Sequence, residues 1–504
     1  MNQRKPDPLW SALQYIISPI FFICYLSAYF GLVLLVITSA FLVLTFVFLY
    51  VKFRILAKDN RDTDERTIAF FHPYCDAGGG GERVLWCGIR AIQKRFPAER
   101  LVIFTGDVNS APDQILEKAQ KRFNINLKDI DKLEFIYLHR RKWVEADMYP
   151  RFTLLGQSIG SIYLALEALE KCRPDVFIDT MGYAFTLPIF KYFGKCKVGC
   201  YVHYPTISTD MLDKVRSRAK SYNNKRGIAN SKLATNLKLI YYNIFAKLYG
   251  KAGECSDLTM VNSSWTEDHI TQLWRKRGQL VHKIYPPCDV KVFKEIERES
   301  SEDDFDHKSD IKIVSIGQFR PEKDHALQIR AMFELRMLIP DNQWQKIKLI
   351  LIGGCRNAED EKRVQDLKDL CKHMSVEENV EFRLNIPFQD LCEAMKTASI
   401  GLHTMWNEHF GIAVVEMLAA GLVTIAHRSG GPLMDIVADE ACGRNGFLAI
   451  HDKEYAAMIS YILNLNPEGR QAIRDRARSS VSRFSDHEFE IKWGSATEAL
   501  INSC

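Results

Sequence analysis

Glu408 and Glu416 are the carboxylates whose spacing most suggests chemistry. They sit in the stretch 407–431, NEHFGIAVVEMLAAGLVTIAHRSGG. The first falls in a polar turn and the second inside an apolar helix expected over about 412–420. Gly421 ends that helix, a short strand follows over 422–426, and Gly430-Gly431 closes the stretch. On one continuous helix, eight residues would turn the second carboxylate about 80° from the first. The Phe410-Gly411 loop breaks that geometry, so both can converge on one ligand at the helix N-terminal end, with Phe410 and Gly411 themselves expected at the substrate. Unpaired N–H groups and a partial positive charge there suit a phosphate or a polar sugar. Taken alone, such a pair is more often a solvated face and a first-turn charge.

Three other segments give the pair its context. CDAGGGGERV, from Cys75, lies between an expected strand and helix. Its glycines, Gly79, Gly80 and Gly81 among them, let backbone approach an anion. The spacing is neither GxGxxG nor GxxxxGK[ST], so neither a nicotinamide nor a Walker nucleotide site is indicated. IGQFRPEK, 316–323, sets Arg320 and Lys323 just beyond a strand, where they can neutralise a diphosphate. YVHYPTIS, from Tyr201, sets His203 at another strand end, within reach of a sugar or a reacting hydroxyl.

The elements that must position these residues alternate in type. Expected strands fall at 67–72, 101–105, 134–138, 176–179, 197–203 and 257–261. A second set falls at 311–316, 348–352, 380–382, 400–403, 422–426 and 446–450, with helical patterns between. That alternation predicts parallel sheets covered on both faces. The acidic, aperiodic SSEDDFDHKSD separates the sets and reads as a linker over 296–310. Two such domains, 61–295 and 311–485, place a ligand cleft at the carboxyl ends of their strands. A last helix, within 486–504, is placed to fold back on the first domain.

The N-terminal residues 1–60 read as a membrane anchor. No charged residue occurs between Pro8 and Val51, a length of about 66 Å as helix against a hydrocarbon core of about 30 Å. The firm span is 32–51. The segment 9–26, with Ser18-Pro19, is either a second span or an interfacial helix, so a hairpin stays open. Lys52, Arg54 and Lys58 follow the run, which puts the body on the cytosolic side. A basic segment, 210–253, interleaves lysines and arginines with Leu237, Ile240, Tyr241, Tyr242, Ile244, Phe245 and Leu248. It suits an anionic membrane surface, an acidic head group, or a core helix beside a basic loop.

Composition narrows the classes. Lys and Arg number 67 against 62 Asp and Glu, a formal charge of +5, which argues against bulk nucleic-acid binding. The 13 cysteines form no CxxC pair and suit a reducing compartment. The Asp-x-Asp pairs at Asp62, Asp129 and Asp304 do not follow strands, so no catalytic metal is expected. Asn262-Ser-Ser is a glycosylation sequon after a strand that reads as buried.

Together these motifs resemble the GT-B glycosyltransferases that carry E-x7-E. HPYCDAGGGGERVLW, YVHYPTISTDML, LTMVNSSWT, SIGQFRPEKDH and NEHFGIAVVEMLAAG, in that order after an anchor, are similar to the GDP-mannose-dependent α-1,2-mannosyltransferases of dolichol-linked oligosaccharide assembly. The likeness runs from about Phe70 onward. It implies an α/β GT-B fold, two Rossmann-like domains facing a cleft, with an N-terminal transmembrane anchor. It implies retaining transfer of the fourth and fifth mannoses from GDP-mannose to Man3GlcNAc2-PP-dolichol, on the cytosolic face of the endoplasmic reticulum. It further implies that Glu416 binds the donor ribose, Glu408 holds the mannose, and Arg320 and Lys323 bind the diphosphate. Gly79 to Gly81 would contact phosphate or sugar, Gly430-Gly431 would close the donor site, and His203 would sit beside the mannose. Many relatives have Arg directly after the strand glycine; here Gln318 stands there and Arg320 is expected to take over. Implied partners are the membrane and other early mannosyltransferases of the pathway, with no metal or other cofactor and no nucleic acid. The alternatives are a sibling transferase with another nucleotide sugar or glycolipid acceptor, and a non-catalytic glycolipid-binding scaffold.

Overall fold

A computed structural model of the chain describes residues 8–59, 65–123, 132–211, 232–274, 281–296, 310–437 and 443–503, and a few isolated positions besides. Most of the expected linker (297–309) and half of the basic segment (212–231) lie outside the described residues. The chain forms two compact units, Met1–Asp64 and Glu65–Cys504.

The first unit is built on one helix, Pro8–Asp59, of 52 residues. It runs unbroken through Pro19, without the turn a hairpin would need. Tyr25–Phe53 is long and apolar enough to cross a membrane, with mean hydropathy 2.9.

The second unit holds two parallel sheets. The first has seven strands in the order β3-β2-β1-β4-β5-β6-β7. These are β1 (Thr67–Phe71), β2 (Arg100–Thr105), β3 (Leu133–Tyr137), β4 (Val176–Asp179), β5 (Lys197–Val202), β6 (Leu258–Val261) and β7 (Val281–Lys283). The sheet's central strands are largely apolar because both faces are covered; all five residues of β1 are buried. The short edge strand β7, Val-His-Lys, has no apolar run, and periodicity did not predict it.

The second sheet has six strands in the order β10-β9-β8-β11-β12-β15. They are β8 (Ile311–Ile316), β9 (Ile347–Gly353), β10 (Val380–Leu384), β11 (Ile400–Leu402), β12 (Val423–His427) and β15 (Phe447–Ala449). A small antiparallel pair, β13 (Asp439–Glu440) and β14 (Gly443–Arg444), precedes the last strand. In both sheets the order reverses beside the first strand, β1 or β8, which opens a crevice at the carboxyl ends.

The chain passes between the domains at two adjacent places, joined where Cys288 pairs with Ser485 and its N–H meets the Phe484 carbonyl at 2.9 Å. Beyond the second crossing, the helix Asp486–Asn502 packs on the first domain's helix Gly80–Arg95. Gly88 allows that approach: a Cβ there would lie 2.9 Å from the Trp493 ring. Arg83–Asp486 at 2.8 Å, Arg90–Glu490 and Lys94–Glu490 flank the seam. The ten described cysteines are all free thiols, and most are buried.

Candidate active site

Strand ends of the second domain supply the acidic half of the site. After β8 a short turn, Pro321–Lys323, brings Lys323 Nζ to 2.5 Å from Glu408 Oε2. His403, just past β11, reaches the same oxygen with Nε2 at 3.2 Å. Burial would raise the Glu408 pKa, but Lys323 and the His403 hydrogen bond outweigh it and hold the carboxyl well below its usual range. Thr404 ties the turn down, its hydroxyl donating to the Lys323 carbonyl at 2.9 Å.

Glycines behind the Glu408 loop permit its shape. Gly431 N–H donates to the Glu408 carbonyl at 2.8 Å, and Asn407 N–H to Ser429 Oγ at 2.7 Å. A Cβ on Gly430 would stand 2.2 Å from the Glu408 carbonyl oxygen, and one on Gly431 2.2 Å from that of Phe410.

The first domain supplies the facing half. The helix Gly80–Arg95 begins at the tetraglycine turn, and the Glu82 carboxylate accepts from Gly79 N–H. Glu82 also lies 3.5 Å from His72 Nε2, and His72 Nδ1 lies 2.8 Å from Thr180 Oγ1. His203 Nε2 lies 3.0 Å from the Thr180 carbonyl. A carbonyl only accepts, so Nε2 carries the hydrogen and Nδ1 keeps its lone pair. Burial, helped by His72, pushes His203 down to about 4, so the ring is neutral at pH 7.

These halves enclose a cavity of about 250 Å³. The first domain lines it with Gly80, Gly81, His203, Tyr204, Asn262 and Pro286. The second contributes Lys323, Glu408, His409 and the segment 410–413. Two helix N-termini therefore meet at one cavity, Gly80–Arg95 from one domain and Ile412–Ala419 from the other. First-turn N–H groups lack intrahelical acceptors and carry partial positive charge, so with Lys323 the arrangement suits an anion. The approach is close: a Cβ on Gly80 would lie 2.7 Å from Ile412 Cδ1.

Seven of the expected residues border this cavity: Gly80, Gly81, His203, Lys323, Glu408, Phe410 and Gly411. The Phe410 ring itself is buried against Tyr285 and Phe484. Gly79, Arg320, Glu416, Gly430 and Gly431 lie outside the lining. Gly430 and Gly431 support the Glu408 loop from behind. Arg320 is 38% exposed, with Glu322 3.9 Å away. Glu416 is half-buried; burial pushes it up to about 7, with Arg83 opposing and Asp289 adding. Tyr204, Asn262, Pro286, His409, Ile412 and Ala413 also line the cavity and were not among the expected residues. Tyr204 and His409 adjoin expected residues, and Asn262 lies in the motif LTMVNSSWT. Among the described residues no group of three or more His, Cys, Asp or Glu is arranged to hold a metal ion.

Known proteins carry the same architecture. Residues 65–274 match the family described as ALG11 mannosyltransferase N-terminus, and residues 297–480 match Glycosyl transferases group 1. Among solved structures, sucrose-phosphate synthase from Thermosynechococcus elongatus superposes with a TM-score of 0.60 at 17% identity, covering 87% of this chain and all of that one. Anabaena HepE, in complex with UDP and glucose, gives 0.57 at 17% identity, covering 86% and 99%. These likenesses show the GT-B fold. Full-length relatives are far nearer in sequence. A GDP-Man:Man(3)GlcNAc(2)-PP-Dol alpha-1,2-mannosyltransferase of Xenopus laevis is 52% identical over 92% of this chain and 95% of its own length. Its counterpart in Homo sapiens is 52% identical over 89% and 90%, and that of Dictyostelium discoideum 47% over 89% and 88%. By this likeness through both domains, the chain belongs to the GDP-Man:Man(3)GlcNAc(2)-PP-Dol alpha-1,2-mannosyltransferase family.

Proposed function

We propose that this chain moves α-1,2-linked mannose from GDP-mannose to Man3GlcNAc2-PP-dolichol, adding the fourth and fifth mannoses on the cytosolic face of the endoplasmic reticulum. The observation that carries the site assignment is the convergence of two helix N-termini, Lys323 and Glu408 on one interdomain cavity. The donor diphosphate sits against Lys323 and the N-terminal amides. It displaces Lys323 from its pairing with Glu408, freeing that carboxylate to accept hydroxyls of the mannose. Glu416 accepts the ribose diol. Arg320 reaches the diphosphate from the rim once the donor is bound.

The α-linked donor gives an α-linked product, so the configuration is retained. Transfer proceeds on one face of the sugar. The C1–O bond to phosphate breaks, C1 bonds the acceptor oxygen, and the acceptor proton passes to the departing phosphate oxygen. The transition state is oxocarbenium-like, with negative charge growing on phosphate. Lys323 and the helix amides stabilise that charge in place. Neutral His203, with its Nδ1 lone pair free of the Thr180 contact, accepts from a sugar hydroxyl. Closure of the domains excludes water and limits hydrolysis.

The acceptor is a lipid, and two features support work at a membrane. One is the apolar helix stretch Tyr25–Phe53, followed by basic residues. The other is the helix Lys232–Gly253, which exposes Leu237, Ile240, Ile244 and Leu248 along one side while Tyr242, Phe245 and Tyr249 are buried. Lys247 and Lys251 flank the exposed side, which suits an anionic lipid surface.

The test is purified full-length chain with GDP-mannose and a synthetic lipid-linked trimannosyl acceptor, the product read by linkage-specific mannosidase digestion. Transfer of α-1,2-linked mannose is expected. Turnover from a different nucleotide sugar only, or none at all, would overturn the reading.

A further inference from the structure

The loop that carries Glu408 is held by the first domain on both sides of that residue. On one side, Asn407 Nδ2 donates to Asp210 Oδ2 at 2.5 Å. The same Asp210 oxygen lies 3.5 Å from His269 Nε2, and His269 Nδ1 lies 2.8 Å from the Trp265 carbonyl. On the other side, the His409 ring contacts two aromatic rings, Tyr204 with centroids 5.1 Å apart and 18° between planes, and Trp265 at 5.1 Å and 37°. Trp265 also stacks on His269 at 4.1 Å, which closes the network. Trp265 is 8% exposed. By contrast the side-chain partners of Glu408, Lys323 and His403, belong to its own domain. The Glu408 carboxylate thus answers to one domain and its chain neighbours to the other.

We propose that Asp210 and Trp265 are positioning residues for the transfer: through Asn407 and His409 they hold the Glu408 loop at its working depth only while the domains are together. This rests on Glu408 acting on the transferred sugar, as proposed above. The network couples closure to assembly of the sugar site, so an open enzyme holds the nucleotide without a productively held mannose. Lys323 and Glu416, assigned above to the diphosphate and the ribose, stand on the second domain's own elements, and Lys323 meets the network only through Glu408. Loss of the network therefore lowers kcat and leaves GDP affinity unchanged.

A donor–acceptor exchange tests this in the full-length protein. Asn407 has φ +50°, a conformation that Asp also tolerates. Asn407→Asp sets a carboxylate against the Asp210 carboxylate and breaks the bond. We expect kcat to fall roughly 10- to 100-fold, the scale of a misplacement near 1 Å, with GDP Kd and Tm unchanged. Adding Asp210→Asn restores the hydrogen bond with its direction reversed, and kcat should return to near the parent value. A further arm replaces Trp265 by Phe, which keeps the stack, or by Leu, which removes it; only Leu should lower kcat. Parent-like kcat in Asn407→Asp, a loss the exchange does not recover, or a loss that follows Tm or GDP affinity would overturn the proposal. Glu408→Gln separates the two failures. If it turns over normally, the reading of Glu408 itself fails; if it is inactive while Asn407→Asp is normal, only the network fails.

Discussion

Gly430→Ala tests whether the Glu408 loop must sit where it does. A Cβ at this position would lie 2.2 Å from the Glu408 carbonyl oxygen, whereas ordinary contact begins near 3.4 Å. The difference, 3.4 − 2.2, is about 1.2 Å. The obstructing atom is backbone, so no rotamer change relieves the clash and the loop must move. Gly430 also has φ +58°, where Ala costs about 1–2 kcal/mol more than glycine. The strain lowers Tm modestly, while a displacement near 1 Å at a sugar-holding carboxylate lowers kcat roughly 100-fold. The assay is transfer from GDP-mannose to the lipid-linked trimannosyl acceptor, with Tm and GDP binding measured on the same protein. Gly494→Ala is the control, because its Cβ would meet Arg95 Nη1 at an ordinary 3.5 Å; it should leave kcat unchanged. A folded Gly430→Ala enzyme with parent-like kcat would refute the reasoning.

Lys323→Ala should lower kcat about 100- to 1000-fold, the effect of losing one preformed charge partner of a transition-state anion, and steady-state kinetics checks it. Glu416 titrates near 7 because burial disfavours its charge. In the proposed binding mode the ribose diol meets the carboxylate, so kcat/KM for GDP-mannose should rise with pH up to about 7 and then level; Glu416→Gln should flatten that limb in a pH–rate profile. Because its folded pKa lies above the usual carboxyl value, Glu416 holds its proton longer when folded, so its contribution to stability falls as pH rises from about 4.5 toward 7; melting curves of parent and Glu416→Gln should converge at the acid end of that window. Ile240→Ser with Ile244→Ser, both on exposed sites, should leave turnover of a detergent-dispersed acceptor intact and slow it on vesicles containing anionic lipid.

The parts legible in sequence were those set by local pattern. The parallel strands announced themselves as apolar runs because both faces of each sheet are covered, and the helix over Ile412–Ala419 was marked by Gly411 and Gly421. Gly80, Gly81, Lys323 and Glu408, which meet at one cavity, were legible because a glycine turn and strand-end charges recur in that order along the chain. What stayed hidden depends on distant segments meeting. Asn262 and Pro286 reach the cavity only because sheet order sets β6 beside β5 and β7 beside β6. The tie from Asn407 to Asp210 spans 197 residues. Arg320 stands beyond its strand as expected but outside the cavity lining, because the Pro321–Lys323 turn brings Lys323 there instead. In the N-terminal segment, Ser18-Pro19 left a hairpin open, and the helix Pro8–Asp59 runs through it, since the missing N–H of one proline need not end a helix.

The central claim is that protein groups alone, Lys323 with two helix N-termini, stabilise the departing diphosphate. Single-turnover mannosyl transfer by the full-length enzyme in excess EDTA tests it most directly. The account predicts the same rate with chelator as with added magnesium. Transfer abolished by EDTA and restored by magnesium would contradict it.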